Sequence, residues 1–170
     1  NKRSENWNVT VVDSGLEAQT GGRLRAVKNL IAGDSFLFTY GDGVGDIDVR
    51  STINLHEREG RSATVTLAKP DGRFGAVQIT EGNRVTSFRE KPRGDGAYVN
   101  AGFFVLNKNV IDLIPNSQTI WEQEPLSHLA AQGDLIGYKH EGFWKPMDTL
   151  RDKQELNNLW ENGSAPWKTW

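Results

Sequence analysis

Phe36-Leu37-Phe38-Thr39-Tyr40-Gly41-Asp42-Gly43 is the stretch on which the fold turns. Residues 36–40 form a continuous apolar run, as expected of a strand covered on both faces. The run stops at a Gly-Asp-Gly turn. In open α/β sheets, ligands bind beyond the carboxyl ends of strands. A short carboxylate between two glycines at such an end can reach a metal ion while bare backbone lets a phosphate approach. Taken alone, the same three residues are an ordinary turn.

Outward from this strand, segments with strand-like and helix-like patterns alternate. Upstream, 9–13 has the pattern of a short strand, and Leu24, Val27, Leu30 and Ile31 fall at helical spacing over 23–31. Downstream, 48–59 is expected to be a helix with Asp48 at its start and Gly60 at its end, and 63–68 a strand. Residues 76–79 and 84–88, joined by Glu81-Gly82-Asn83, are expected to form a β-hairpin. A strand over 99–106, short helices over 110–114 and 125–132, a strand over 135–140 and a last helix over 149–161 complete the pattern. The implied fold class is α/β: a mixed, mainly parallel sheet with helices on both faces and an inserted β-hairpin.

Bulk properties narrow the function classes. A length of 170 residues suits one domain. The formal net charge of −2 argues against a broad basic face for nucleic acid. No apolar run approaches the roughly 20 residues of a membrane-spanning helix. The sequence has no cysteine, which excludes thiol catalysis, disulfides and zinc–thiolate sites. The cytoplasm is the default compartment. The chain opens Asn1-Lys2-Arg3 without a methionine, as if its beginning were missing.

Several short motifs could carry chemistry. Asp148, ahead of the last helix, could cap it, as could Thr149, and could equally be a ligand-site carboxylate; the two readings are compatible. Asp42 and Asp148, both at strand-to-helix junctions, could share one Mg²⁺, an ion that takes few protein carboxylates and completes its shell with water and phosphate oxygens. Glu90-Lys91-Pro92 closes the hairpin, where Lys91 offers a point charge to a phosphate and Glu90 an acceptor for sugar hydroxyls. Thr20-Gly21-Gly22-Arg23 could wrap a phosphate at a helix start. Asp71-Gly72-Arg73-Phe74-Gly75 could present backbone to a small polar ligand. His56, His128 and His140 lack metal-site spacing and are expected to be structural or exposed. These residues alone also fit a glycosyltransferase or a catalytically silent nucleotide-sugar-binding module.

The ordered set of segments resembles the sugar-phosphate nucleotidyltransferases. It comprises Trp7-Asn8-Val9-Thr10-Val11-Val12-Asp13, Thr20-Gly21-Gly22-Arg23-Leu24, 36–44, 72–77, 88–92, 100–106, Trp121-Glu122-Gln123-Glu124-Pro125-Leu126, 142–152 and the tail 165–170. Within that family it is most similar to the cytidylyl-transferring branch. The resemblance implies a Rossmann-like nucleotide-diphospho-sugar transferase fold and formation of CDP-glucose and pyrophosphate from CTP and glucose 1-phosphate, for dideoxyhexose precursors of bacterial lipopolysaccharide. It implies Mg²⁺ on Asp42 and Asp148, with Lys91 completing the catalytic set. Thr20, Arg23 and Gly41 are implied to contact the nucleotide, and Gly75, Glu90 and Lys91 the sugar phosphate. A homo-oligomer is implied as well. The family opens with a strand, a Leu-Ala-Gly-Gly-x-Gly-Thr-Arg loop and a Lys-Pro-Lys segment, all absent here. Residues 1–170 are therefore expected to be the C-terminal two-thirds of a single nucleotidyltransferase domain, inactive alone.

Overall fold

The computed structural model describes residues 6–70, 76–81, 84–89 and 97–169. In chain order the elements are α1 (Thr20–Ala26), a 3-10 turn (Lys28–Leu30), β1 (Ser35–Thr39), β2 (Gly43–Gly45), α2 (Val49–Glu59), β3 (Ala63–Ala68), β4 (Ala76–Ile79), β5 (Val85–Arg89), β6 (Val99–Asn107), a 3-10 helix (Lys108–Leu113), α3 (Glu124–Ala131), β7 (Leu135–Lys139), β8 (Trp144–Pro146) and α4 (Leu150–Glu161).

The central sheet has four strands in the order β1-β6-β3-β7. β6 runs antiparallel to both β1 and β3, whereas β3 and β7 are parallel. β1, β3 and β7 therefore point the same way and β6 runs against them. The sheet is mixed as expected. Its parallel character lies in strand direction, and the parallel hydrogen-bonded pair among the described residues is β3–β7. The β4–β5 hairpin also forms; Gly82 and Asn83 of its turn lie outside the described residues.

Period-two alternation gives each face of the sheet its own cover. Ala63 and Val65 of β3 and Phe104 and Leu106 of β6 join Leu24 of α1, Leu129 of α3 and the fully buried Trp121 in one core. Trp121 meets Phe104 edge-on at 6.1 Å and Phe38 at 6.4 Å. The opposite face carries α2, whose His56 is buried. The His56 ring joins Thr64 Oγ1 (3.0 Å) and Asn107 Oδ1 (2.9 Å), which satisfies polar atoms that burial would otherwise penalise.

Local chemistry accounts for the helix ends. Asp48 caps α2 by accepting from the Ser51 amide, and Gly60 closes it in the left-handed conformation that glycine tolerates. Thr149 caps α4 in a reciprocal box with Asp152.

Three expectations change. Residues 9–13 form no strand: Val9 is 75% and Val11 91% exposed, and no described strand pairs with them. Apolar alternation does not make a strand without a neighbour to take its backbone hydrogen bonds. The first helix starts earlier, at Thr20, and tightens into a 3-10 turn after Ala26. β1 is covered on one face: Phe36 and Phe38 pack on the core while Leu37, on the other face, stays 56% exposed. Burial on both faces belongs to β3.

Candidate functional site

β1 leaves the sheet at Tyr40, whose amide donates to the Gly102 carbonyl at 3.0 Å. Gly41 and Asp42 follow, both exposed. β2 then pairs antiparallel with β8, setting Gly43 opposite Pro146. The Met147 amide closes the pair by donating to the Asp42 carbonyl at 2.8 Å. The loop of Asp42 is thereby seated against the loop of Asp148. Because Thr149 serves as the α4 cap, Asp148 is not taken up in that role.

The β2–β8 pair is held from several directions. Trp144 Nε1 donates to the Ala101 carbonyl at 2.9 Å. Asp46 Oδ1 accepts from the Phe143 amide at 2.7 Å and lies 3.1 Å from Nε2 of the buried His140. Lys145 ties β8 to α4 through Glu155, with Asp152 Oδ1 at 3.9 Å. The Lys145 ammonium, followed by Arg151, holds the Glu155 carboxyl below the usual carboxylate range. Among the described residues no group of three or more metal-ligating side chains gathers. Two exposed carboxylates suit Mg²⁺, which binds protein through one or two carboxylates and takes phosphate oxygens and water for the rest.

The start of α1 departs from the expected phosphate loop. The Gly21 and Gly22 amides both donate to the Thr119 carbonyl, at 3.0 and 3.3 Å. A Cβ on Gly21 would stand 2.7 Å from the Thr119 oxygen, and one on Gly22 would collide with Ser117. These glycines permit close backbone approach, and their amides are engaged internally. Arg23 donates to Ser14 Oγ at 2.9 Å and to the Leu16 carbonyl at 3.3 Å, pinning the coil ahead of α1 with part of its five-donor fork.

A side-chain network links α1 to the end of β1. Glu122 Oε2 accepts from Thr20 Oγ1 at 2.6 Å, and Glu122 Oε1 accepts from the Tyr40 hydroxyl. Thr20 Oγ1 in turn accepts from the Trp121 amide at 2.9 Å. Asn100 Nδ2 donates to the Tyr40 oxygen at 3.3 Å, and Asn100 Oδ1 accepts from the Gly102 amide at 2.8 Å. Burial, followed by the Glu122 carboxylate, pushes the Tyr40 hydroxyl well above its ordinary range, so it remains a proton donor.

Of the residues singled out from sequence, Gly41 and Asp42 lie in a loop bonded through Met147 to the segment that carries Asp148, and Thr20 is linked to the end of β1 through Glu122 and Tyr40. Gly75, Glu90 and Lys91 lie outside the described residues. His56 and His140 are buried and hydrogen-bonded, and His128 is exposed. Sequence reasoning gave no role to Tyr40, Asn100 or Glu122, although all three fall in the stretches that carry the family resemblance.

A family model described as nucleotidyl transferase matches residues 2–149. Glucose-1-phosphate cytidylyltransferase of Salmonella typhimurium is 59% identical over 170 residues, 99% of this chain and 66% of that protein. The probable glucose-1-phosphate cytidylyltransferase of Bacillus subtilis is 39% identical over 98% of this chain and 65% of its own length. The chain thus spans just under two-thirds of these relatives. Among solved structures, HddC from Yersinia pseudotuberculosis superposes with a TM-score of 0.63 at 19% identity, covering 84% of this chain and 63% of that one. That likeness concerns the fold.

Proposed function

The chain belongs to the nucleotidyl transferase family, and on that premise we propose that it carries the metal-binding and sugar-phosphate residues and part of the nucleotide site of an enzyme forming CDP-glucose and pyrophosphate from CTP and glucose 1-phosphate. The observation that carries this reading is the seating of the Asp42 loop on the Asp148 loop through the β2–β8 pair. The 59% identity to a glucose-1-phosphate cytidylyltransferase supports the choice of substrates.

A phosphate oxygen of glucose 1-phosphate attacks the α-phosphorus of CTP in line, and the bond from that phosphorus to the pyrophosphate oxygen breaks. The sugar phosphate is largely a dianion near neutral pH, so no general base is required. Alignment and charge neutralisation remain as the protein's tasks. Asp42 and Asp148 would hold Mg²⁺, which when bound supplies positive charge to the phosphate oxygens. Lys91 neutralises and aims the sugar phosphate, Glu90 accepts its hydroxyls, and Gly75 lets it approach. Thr20, Arg23 and Gly41 face the nucleotide. Among the described residues no helix is long and apolar enough to cross a membrane. We place the enzyme in the cytoplasm, as a homo-oligomer serving lipopolysaccharide precursor synthesis.

The test is pyrophosphate release from CTP and glucose 1-phosphate with Mg²⁺. It is run on the chain, and on the chain joined to the part of the Salmonella typhimurium relative that it does not span. Release by the joined protein, with CDP-glucose as the second product, is the expected result. Sugar transfer from CDP-glucose to an acceptor without pyrophosphate chemistry would overturn it.

A further inference from the structure

Within the cluster of Glu122, Thr20 and Tyr40 the hydroxyl protons are both spent on the Glu122 carboxylate, so this group offers acceptors outward and no hydroxyl donor. Thr20 Oγ1 gives its single proton to Glu122 and already receives the Trp121 amide. A hydroxyl has one donor and two lone pairs, so Thr20 can do one further thing, which is to accept. Glu122 receives one bond on each oxygen, from Thr20 and from Tyr40, and a carboxylate offers about four lone-pair sites in all. The Tyr40 proton is turned inward onto Glu122. Glu122 is half-buried and Thr20 is exposed, so the free lone pairs lie at the mouth of the cluster. The cluster stands beside Gly41 and Asp42, because Tyr40 is the residue before them.

We propose that Glu122 is a specificity-determining residue. By fixing the Thr20 proton inward it presents, together with Thr20, an acceptor-only pair that takes a hydrogen bond from the amino group of a nucleotide base. The inference deepens the proposed function and rests on Thr20 facing the nucleotide. Of the pyrimidines, cytosine carries a 4-amino donor, whereas uracil and thymine carry a 4-keto acceptor at the same position. An acceptor set against that keto group leaves two lone-pair sites facing each other with no proton between them, and such unpaired polar groups are heavily penalised where water is excluded. The arrangement does not depend on α1 as a helix terminus, since its first amides are bonded to Thr119.

Glu122→Gln reverses the pattern. The amide nitrogen of glutamine can donate to Thr20 Oγ1, which releases the Thr20 proton to turn outward. CTP and UTP binding, each with Mg²⁺, is measured by calorimetry on the joined protein and on its Glu122→Gln and Thr20→Ala variants, with kcat/KM for both triphosphates alongside. The expected result is a fall of about tenfold or more in the CTP-to-UTP preference of Glu122→Gln, the factor one charge-assisted hydrogen bond carries. A purely structural role would weaken both triphosphates in parallel and leave the ratio unchanged, which overturns the inference. If Glu122→Gln fails to fold, Thr20→Ala decides: the substituted site is exposed, and it loses the acceptor. A preserved ratio there also overturns the inference. Binding of neither triphosphate by the parent protein removes the proposed function and this inference together, whereas binding with no change of ratio removes the inference alone.

Discussion

Met147 donates its backbone amide to the carbonyl oxygen of Asp42 over 2.8 Å, and this one bond couples two loops that the sequence keeps far apart. Asp42 arrives on the end of β1 and Asp148 on the exit of β8. The facing strands β2 and β8 are only three residues each. Their geometry is therefore set largely by what surrounds them: Trp144 on Ala101, Phe143 on Asp46, and Lys145 on Glu155.

Asp42→Asn or Asp148→Asn is expected to abolish pyrophosphate release by the joined protein while leaving the fold in place. The Met147 bond uses the Asp42 backbone carbonyl, which the substitution retains. Each change removes one charge from the pair assigned to Mg²⁺, and metal stabilisation of transferring phosphoryl charge is worth several kcal/mol. Circular dichroism checks the fold and a Mg²⁺ titration of the rate checks the role. A near-normal rate at ordinary Mg²⁺ in either variant removes that aspartate from the metal site.

Gly102 and Tyr40 give a second measurable consequence. Gly102 has φ +80°, and a Cβ there would stand 2.5 Å from Cδ2 of the Tyr40 ring. Gly102→Ala therefore combines backbone strain with a clash against the ring that donates to Glu122. Gly15 has φ +89° with nothing within 4 Å of its would-be Cβ, so Gly15→Ala isolates the strain, about 1–2 kcal/mol. Urea unfolding is expected to show Gly102→Ala as the more destabilised of the two. Equal losses would mean that the Tyr40 ring moves aside without cost.

What the sequence disclosed and what it hid follow one physical divide. α2 and α4 were legible because their stop signals are local: Asp48 and Gly60 bound one, and Thr149 opens the other. β3 was legible at 63–68 because Thr64, Val65, Thr66 and Leu67 give a β-favouring stretch long enough to show itself. The β2–β8 pair was not, since three residues have no period to read. Gly21-Gly22 suggested a phosphate loop, but the reason for glycine there is the approach of Ser117 and Thr119, which only the folded chain brings near. Glu122 sat unremarked in a polar stretch because its partner Thr20 is 102 residues away. Residues 9–13 carry a strand's alternation without the neighbour that would make them one.

The carboxylates that cap and brace α2 and β3 set an acid limit. The Ser51 amide, then the Ser51 hydroxyl, hold the Asp48 carboxyl below its ordinary range, and Ser62 does the same for Asp134. A folded value below the unfolded one gives stabilisation that is complete above the unfolded pKa, about 3.9 for Asp, and is lost as pH falls through the depressed value. Asp48→Asn keeps a competent cap but cannot titrate. The stability difference between parent and Asp48→Asn is therefore expected to be constant near neutrality and to shrink below about pH 4. Thermal melts of both across pH 3–7 check it, and parallel curves down to the lowest pH would show that the cap carries no proton linkage.

The tail bears on the turn before β8, and so on the approach to Asp148, through one aromatic contact. Trp167 lies against Phe143 with ring centroids 5.3 Å apart and planes tilted by 32°. Phe143 is the residue before β8: its amide donates to Asp46 Oδ1, and its carbonyl oxygen lies 3.0 Å from His140 Nε2. The backbone of that turn is thus fixed by polar bonds, and Trp167 covers it from outside. Trp167→Ala removes an aromatic pair worth about 0.5–1.5 kcal/mol beyond its buried area, yet leaves both Asp46 bonds and the Met147–Asp42 bond intact. The expected outcome is a lower melting temperature with the Mg²⁺ dependence of the rate unchanged. Asp46→Ala takes away the carboxylate instead, releasing the Phe143 amide and removing the acidic neighbour of His140, while the His140 ring keeps the Phe143 carbonyl. It is expected to raise the Mg²⁺ concentration needed for half-maximal rate, because the turn that leads into β8 and on to Asp148 loses its side-chain anchor. If Trp167→Ala shifts the Mg²⁺ dependence as much as Asp46→Ala does, the tail contributes to holding the Asp148 loop as much as the polar turn beneath it.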